Sequence, residues 1–263
     1  MNGLEERLSA ATGLAEGAGE IALRWFRTSP DVTNKAGEGA FDPVTAADHA
    51  VEEFLRNELM RRFPDDRFLG EETGESGGSG PFRWVIDPID GTRAFISGNP
   101  LWGVLIGLEE GAHAVGGVVR IPYLGETFIG DGERALMRSG GHETPLRTSG
   151  TSTLDAAILC STSVLFAPSP EREAFNRLQA ECRLTRFGGD CYSYCTLAMG
   201  HVDLVVEAGL QPYDIVALAP VIRAAGGVVT TADGGPAERG GFIVAAANAT
   251  LHKQALAALS DPS

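Results

Sequence analysis

The stretch Trp84-Val85-Ile86-Asp87-Pro88-Ile89-Asp90-Gly91-Thr92 is a short apolar run that ends abruptly in two carboxylates, a proline, a glycine and a hydroxyl. Trp84 to Ile86 reads as a buried strand, and Asp-Pro followed by Asp-Gly is turn chemistry. Both carboxylates are therefore expected at the carboxyl end of a strand. That is where open α/β sheets place ligands.

On the N-terminal side, Arg67-Phe68-Leu69-Gly70-Glu71-Glu72 predicts a second short strand ending in paired carboxylates, followed by a Gly/Ser-rich loop over 73–81. Thr45-Ala46-Ala47-Asp48 has the form of a capping box, and Val51, Phe54, Leu55 and Leu59 supply an apolar stripe behind it. A helix should start near Thr45 and stop by Pro64. The segment from Thr28 to Phe41 is rich in Gly, Pro, Asn and charge and is expected to form a flap-like loop carrying Lys35. Before it, Leu4, Leu8, Ala11, Leu14, Ala15, Ala18, Ile21, Ala22, Trp25 and Phe26 recur at helical spacing, so one long amphipathic helix is expected, capped by Asn2 and Glu5.

On the C-terminal side, 101–108, 114–120 and 126–129 are apolar or alternating runs separated by turn residues, which predicts an antiparallel meander. The polar stretch Thr144 to Thr153 marks a boundary between an N-terminal α+β unit, 1–147, and a C-terminal α/β unit, 148–263. In the second unit strands are expected over 156–160, 184–187 and 202–207, alternating with helices over 170–182 and 190–199. Asp214 to Ala225 reads as one helix kinked at Pro220 and closed by Gly226-Gly227. Strands over 228–231 and 242–247 and an Ala/Leu helix complete the chain.

The chain has 263 residues, 43% of them hydrophobic, enough for a sizeable core. Its 35 acidic against 21 basic residues give a net charge of -14, which argues against phosphate-neutralising contact with nucleic acid. No apolar run is long enough to span a membrane and no signal peptide opens the chain, so a cytoplasmic protein is expected. Cys160, Cys182, Cys191 and Cys195 lack the C-x-x-C spacing of redox or zinc sites and are expected to be small core residues. The five histidines form no metal-ligand pair, so any metal should be held by oxygen.

Five acidic residues fall at predicted element ends: Asp48, Glu71, Asp87, Asp90 and Asp214. Each has a local explanation, as capping-box member, strand-end charge, turn former or helix-start residue. Gathered at strand ends they repel one another, and the pattern points to a cation. Hard oxygen donors suit Mg²⁺ or a similar ion, and the spacing of an EF-hand calcium loop is absent.

Gly70-Glu71-Glu72, then Trp84 to Thr92, then Pro212-Tyr213-Asp214 with Ala224-Ala225-Gly226-Gly227, resemble in order and spacing the signatures of the inositol monophosphatase family. The resemblance spans nearly the whole chain. It implies a layered αβαβα sandwich, a homodimer, sensitivity to lithium and Mg²⁺-dependent hydrolysis of small phosphomonoesters. It also implies that Glu71, Asp87 and the main-chain carbonyl of Ile89 hold one ion, that Asp87, Asp90 and Asp214 hold a second, and that a third sits near Glu71. Thr92, hydrogen-bonded to Asp48, would help to deprotonate the attacking water. The amides of Gly91 and Thr92, at a predicted helix start, would offer donors to the phosphate.

Two further stretches, Phe187-Gly188-Gly189-Asp190-Cys191-Tyr192 and Asp203 to Asp214, resemble the histidinol-phosphatase branch of that family. Gly91 to Ile96 and Pro100-Leu101-Trp102-Gly103 do so as well. That substrate carries an ammonium and an imidazole at the end away from its phosphate, and acceptors suit both. Asp190, preceded by Gly189, and Glu207 are the expected partners, although Asp190 also fits a helix cap and Glu207 an exposed strand end. Arg120-Ile121 departs from the branch pattern. The alternatives are an inositol or broad sugar phosphatase and, as a non-enzyme, a metal-dependent phospholigand-binding module, which would need neither Thr92 nor Asp48.

Overall fold

Helix α1 (Gly3–Leu23) buries Leu8, Ala11, Leu14, Ala15, Ala18 and Ala22 on one stripe. It stops at Leu23, short of the expected Phe26, and Phe26 enters the core from the following turn. The computed structural model describes residues 3–28, 32–34, 43–163 and 169–260, so the expected cap at Asn2 and the loop residue Lys35 lie outside the described residues. Part of the expected loop is a strand: β1 (Val32–Asn34) pairs antiparallel with β2 (Pro43–Thr45). Helix α2 (Ala46–Arg62) then starts at Thr45, whose hydroxyl accepts the Ala47 N–H at 3.1 Å, as the capping-box reading requires.

An eight-stranded sheet follows, built from β3 (Arg67–Gly70), β4 (Gly74–Gly77), β5 (Phe82–Asp90), β6 (Gly103–Glu110), β7 (His113–Ile121), β8 (Glu126–Gly130), β9 (Ala135–Ser139) and β10 (His142–Pro145), with the short helix α3 (Thr92–Ile96) after β5. Its order is β10-β9-β8-β7-β6-β5-β3-β4, antiparallel except that β3 and β5 run parallel. The meander is as expected and two strands longer. The stretch expected as a Gly/Ser loop contains β4, which folds back on β3.

The opening stretch differs from expectation in one informative way, because Asp87-Pro88-Ile89-Asp90 is a bulge within a strand and not a turn. Three steps from Asp87 to Asp90 face only two, Leu105 to Gly103, on β6. The parallel pairing with β3 ends at Gly70 opposite Ile86, so on that side Pro88 has no ladder to interrupt. The chain turns one residue later, at Gly91, where φ is 85°.

The second half is β11 (Ile158–Ser161), α4 (Pro170–Glu181), β12 (Leu184–Phe187), α5 (Asp190–Ala198), β13 (Leu204–Leu210), α6 (Pro212–Ile215), α7 (Leu218–Ala224), β14 (Val228–Thr231), β15 (Gly241–Ala246) and α8 (Ala249–Ser260). Its five strands order as β12-β11-β13-β15-β14, with β11 parallel to β12 and β13. The helix expected over 214–225 is two helices. Pro220 sits in the first turn of α7, where its missing N–H interrupts no helical bond.

Strand periodicity sorts the apolar residues into three cores. Val104, Ile106 and Leu108 face α1 and α2, whereas Leu105 faces the middle layer with Val119 and Phe128. On β13, Val205 points into that middle layer and Leu204 and Val206 point outward to α4 and α8. The result is helix, sheet, helix, sheet, helix, the expected αβαβα sandwich.

Cross-strand glycines position the middle layer. Gly107 pairs with Gly117, and Gly117 with Gly130, so three adjacent strands present a bare row. A Cβ at Gly107 would lie 2.7 Å from Val216 Cγ1, and one at Gly117 would overlap the Ala217 carbonyl. The segment joining α6 to α7 therefore lies directly on the backbone of the first sheet. This delivers Asp214, on α6, to the end of β5.

Candidate active site

The bulge in β5 is held by its own side chains. Asp87 Oδ1 accepts the Ile89 N–H at 3.0 Å, and the Thr92 hydroxyl donates to the Ile89 carbonyl at 3.1 Å. Asp90 is gripped from the other half of the molecule, where the Cys191 amide, in the first turn of α5, donates to its Oδ2 at 2.6 Å. Asp214 uses Oδ2 to accept the Gln211 N–H at 2.6 Å, capping α6. Between them Asp87, Asp90 and Asp214 bring one carboxylate oxygen each to within 4.8 Å of the others.

Glu71 follows β3, and its amide donates to the Ile86 carbonyl at 3.1 Å, which extends the ladder beside Asp87. Burial pushes the Asp87 carboxyl well up from its usual range, and the charges of Glu71, Asp90 and Asp214 push it further. Asp90 is raised by burial and then by Asp190 and Asp214, against the Cys191 amide. Asp214 is raised to about 7, chiefly by burial. Buried carboxyls this close stay charged together only if a cation sits among them. The donor set fits a hard divalent ion. Burial and then Asp90 push the ionisation of the neighbouring Cys191 thiol well up, and a soft thiol is a poor match for a hard divalent ion.

Asp48 behaves differently from expectation. Its Oδ2 accepts both the amide and the hydroxyl of Thr45, at 2.8 and 2.6 Å, while Oδ1 is buried without a hydrogen-bond partner. The expected bond from Thr92 to Asp48 is not made, since Thr92 turns to Ile89 and Asp48 closes the capping box of α2. Burial raises the Asp48 carboxyl, and the charge that adds to this is that of Glu72.

A cavity of about 220 Å³ opens beside the cluster, lined by Asp90 and Asp214 at one end and by Asp190, Glu207 and Tyr194 beyond. No basic side chain is among the described residues that line it. Glu207 is only 7% exposed, which removes the strand-end explanation, and its two oxygens accept the Thr162 amide at 2.7 Å and the Tyr194 hydroxyl at 2.8 Å. Asp190 is the first residue of α5, after Gly189 as cap, and holds φ at 45°, an unusual value for a residue with a side chain. Its carboxyl packs on Gly91, where a Cβ would lie 2.9 Å from Asp190 Cγ. Burial, with the charge of Glu207, raises it to about 7.

Asp90 and Asp214 thus line the cavity together with Asp190 and Glu207, while Asp87 completes the carboxylate group with Asp90 and Asp214. Glu71 acts on Asp87 and Asp214 by its charge, Ile89 lies in the same bulge and Gly91 packs on Asp190. Arg120 is elsewhere, bonded to Thr127 at 2.9 Å. Thr162 and Tyr194 were not legible as site residues, although Tyr194 stands one helical turn after Asp190.

The family model for the inositol monophosphatase family matches residues 3–262. The chain belongs to the inositol monophosphatase family. This is a family of metal-dependent phosphoric monoester hydrolases acting on small phosphomonoesters. A histidinol-phosphatase of Streptomyces coelicolor is 38% identical over 89% of this chain and 86% of its own. Inositol monophosphatase 3 of Solanum lycopersicum is 33% identical over 98% of both chains. The solved structure of an inositol monophosphatase from Zymomonas mobilis superposes with a TM-score of 0.87 at 34% identity, over 99% of this chain and 100% of that one. Among the described residues no helix is long and apolar enough to cross a membrane.

Proposed function

We propose that this member of the inositol monophosphatase family is a Mg²⁺-dependent phosphatase whose substrate is L-histidinol phosphate, released as L-histidinol and phosphate. The observation that carries the substrate choice is the cavity, which leads from the Asp90 and Asp214 end past Asp190 and Glu207 with no basic lining among the described residues. An anionic leaving group meets no cation in that lining, although the Arg93 charge acts on Asp190, and a neutral polyol gains hydrogen bonds from its hydroxyls without the charge assistance. An ammonium or imidazolium gains charge-assisted hydrogen bonds from acceptors already fixed in place.

Glu71, Asp87, the Ile89 carbonyl, Asp90 and Asp214 would hold two ions, with a third beside Glu71. Mg²⁺ bound there supplies the positive charge that admits an anionic phosphate to an acidic site and acidifies the attacking water. Gly91 and Thr92 orient the phosphate through their amides. The Thr92 hydroxyl stands at the same turn, and Asp48 Oδ1 is the carboxylate oxygen left to receive a proton. The acceptors Asp190 and Glu207 orient the leaving alcohol through its far end, so that the bond from phosphorus to the alcohol oxygen breaks in line with water attack.

The same reading includes a homodimer, a cytoplasmic setting suited to the unpaired Cys160, Cys182, Cys191 and Cys195, and the division at 147/148 into two units. Light scattering tests the first. For the function, phosphate release is measured across histidinol phosphate, inositol 1-phosphate, fructose 1,6-bisphosphate and 3′-phosphoadenosine 5′-phosphate, each with and without Mg²⁺. The expected result is a kcat/KM for histidinol phosphate at least about tenfold above the others. A preference for inositol 1-phosphate would transfer the assignment to that substrate, and no turnover of any of them would favour a binding module.

A further inference from the structure

Helix α2 carries a second acid one turn after Asp48, and it lies on the stripe that Val51, Leu55 and Leu59 send into the core. Glu52 is fully buried, 0% exposed, at a position where an isolated carboxylate is costly. Its oxygens are answered by three donors from one short segment. Oε2 accepts the Glu72 amide at 2.8 Å, and Oε1 accepts the Thr73 amide at 2.8 Å and the Thr73 hydroxyl at 2.6 Å. All three belong to the turn between β3 and β4 that carries Glu71. The approach is so close that a Cβ at Gly70 would overlap the Glu52 carboxylate.

We propose that Glu52 is a positioning residue for the metal-ligating carboxylate of Glu71, acting through the turn it clamps. Glu71 is placed from both sides of its backbone. Its own amide bonds to Ile86, and the next two amides are tied to Glu52. With two successive peptide groups fixed, the Glu71 side chain leaves the backbone in one direction, toward Asp87. If the clamp is lost, the turn carrying the exposed Thr73 can relax and Glu71 no longer arrives preorganised. Glu52→Gln preserves volume and the bonds to Thr73, but its amide group faces the Glu72 N–H, donor against donor.

The inference rests on the assignment of Glu71 as a metal ligand, and the test separates the two. Mn²⁺ affinity of the whole protein is measured from the free-ion electron paramagnetic resonance signal, for the wild type, Glu52→Gln, Glu71→Ala and the double variant. Each single change is expected to weaken binding about tenfold, and the double variant to bind no more weakly than Glu71→Ala. Unchanged affinity in Glu52→Gln, or losses that add to about a hundredfold in the double variant, would overturn the positioning role while leaving Glu71 a ligand. Unchanged affinity in Glu71→Ala would remove the ligand assignment and this inference with it. Should Glu52→Gln fail to fold, Thr73→Val at the exposed end of the clamp is expected to weaken binding about threefold, and no change there would overturn the role.

Discussion

Asp90 Oδ2 accepts the Cys191 amide at 2.6 Å, a bond that ties the bulge at the end of β5 to the first turn of α5 across 101 residues of chain. Asp90 is thereby fixed by the second half of the molecule while it also offers a carboxylate oxygen to the group with Asp87 and Asp214. An asparagine at 90 can still accept that amide, so Asp90→Asn alters charge while keeping the join. It is expected to fold with a wild-type circular dichroism spectrum and to lose at least roughly 100-fold in kcat. A near-wild-type rate would mean that Asp90 does not hold the ion that drives the reaction.

The acidic cluster sets a pH dependence whose sign follows from burial. Asp214 and Asp190 are both raised to about 7 in the metal-free protein, from the unfolded range near ~4. Between these limits the folded state holds protons that the unfolded state has released, so stability is greatest below the lower limit and falls as pH rises through about 7. A cation at Asp87, Asp90 and Asp214 would take the place of the proton on Asp214. The expected outcome is a rise in Tm on adding Mg²⁺ that is larger at pH 8 than at pH 5.5. Equal rises at both pH values would contradict the placement of the ion at these carboxyls.

The glycine row under α6 and α7 makes a prediction about a residue far in sequence from the acids. A methyl group at Gly117 meets the Ala217 carbonyl and must lift the segment that presents Asp214. Gly117→Ala is expected to lower stability by about 1–3 kcal/mol in urea unfolding and to weaken Mg²⁺ binding in the folded protein. Lost stability with unchanged Mg²⁺ affinity would show that this contact does not position Asp214.

For the far end of the cavity, Glu207→Gln is a charge test with little change of shape. The glutamine carbonyl can still accept from Thr162, and its amide can donate to the Tyr194 oxygen. The KM for histidinol phosphate is expected to rise at least about tenfold, with p-nitrophenyl phosphate almost unaffected. Equal effects on both substrates would show that Glu207 does not read the amine.

The sequence made Asp87, Asp90 and Asp214 visible because each stands where an apolar run or a helix signal stops, and the layered architecture was visible through strand and helix periodicity. It misread the geometry around them where a local signal had two structural meanings. Asp-Pro-Ile-Asp is good turn chemistry, yet the same residues form a bulge, because β5 loses its parallel neighbour at Ile86 and the Asp87 side chain satisfies the Ile89 amide. Pro220 suggested a kinked helix, whereas the break falls at 216–217, before the proline. Glu52 and the Gly107-Gly117-Gly130 row were silent, since their partners are distant in sequence and a glycine or a buried acid says nothing alone about what will lie against it. The bond expected between Thr92 and Asp48 is absent for a local reason, because the Thr92 hydroxyl donates instead to the Ile89 carbonyl three residues back, and the two Thr45 donors leave Asp48 Oδ1 unpartnered.

In the proposed mechanism the carboxylates of Glu71, Asp87, Asp90 and Asp214 serve phosphate ester hydrolysis by holding Mg²⁺. Its most direct test is phosphate release from histidinol phosphate by protein stripped of metal, assayed in excess EDTA and again after Mg²⁺ is restored. Turnover is expected to fall to background in EDTA and to recover fully with Mg²⁺. Appreciable turnover of the stripped protein in EDTA would contradict that mechanism.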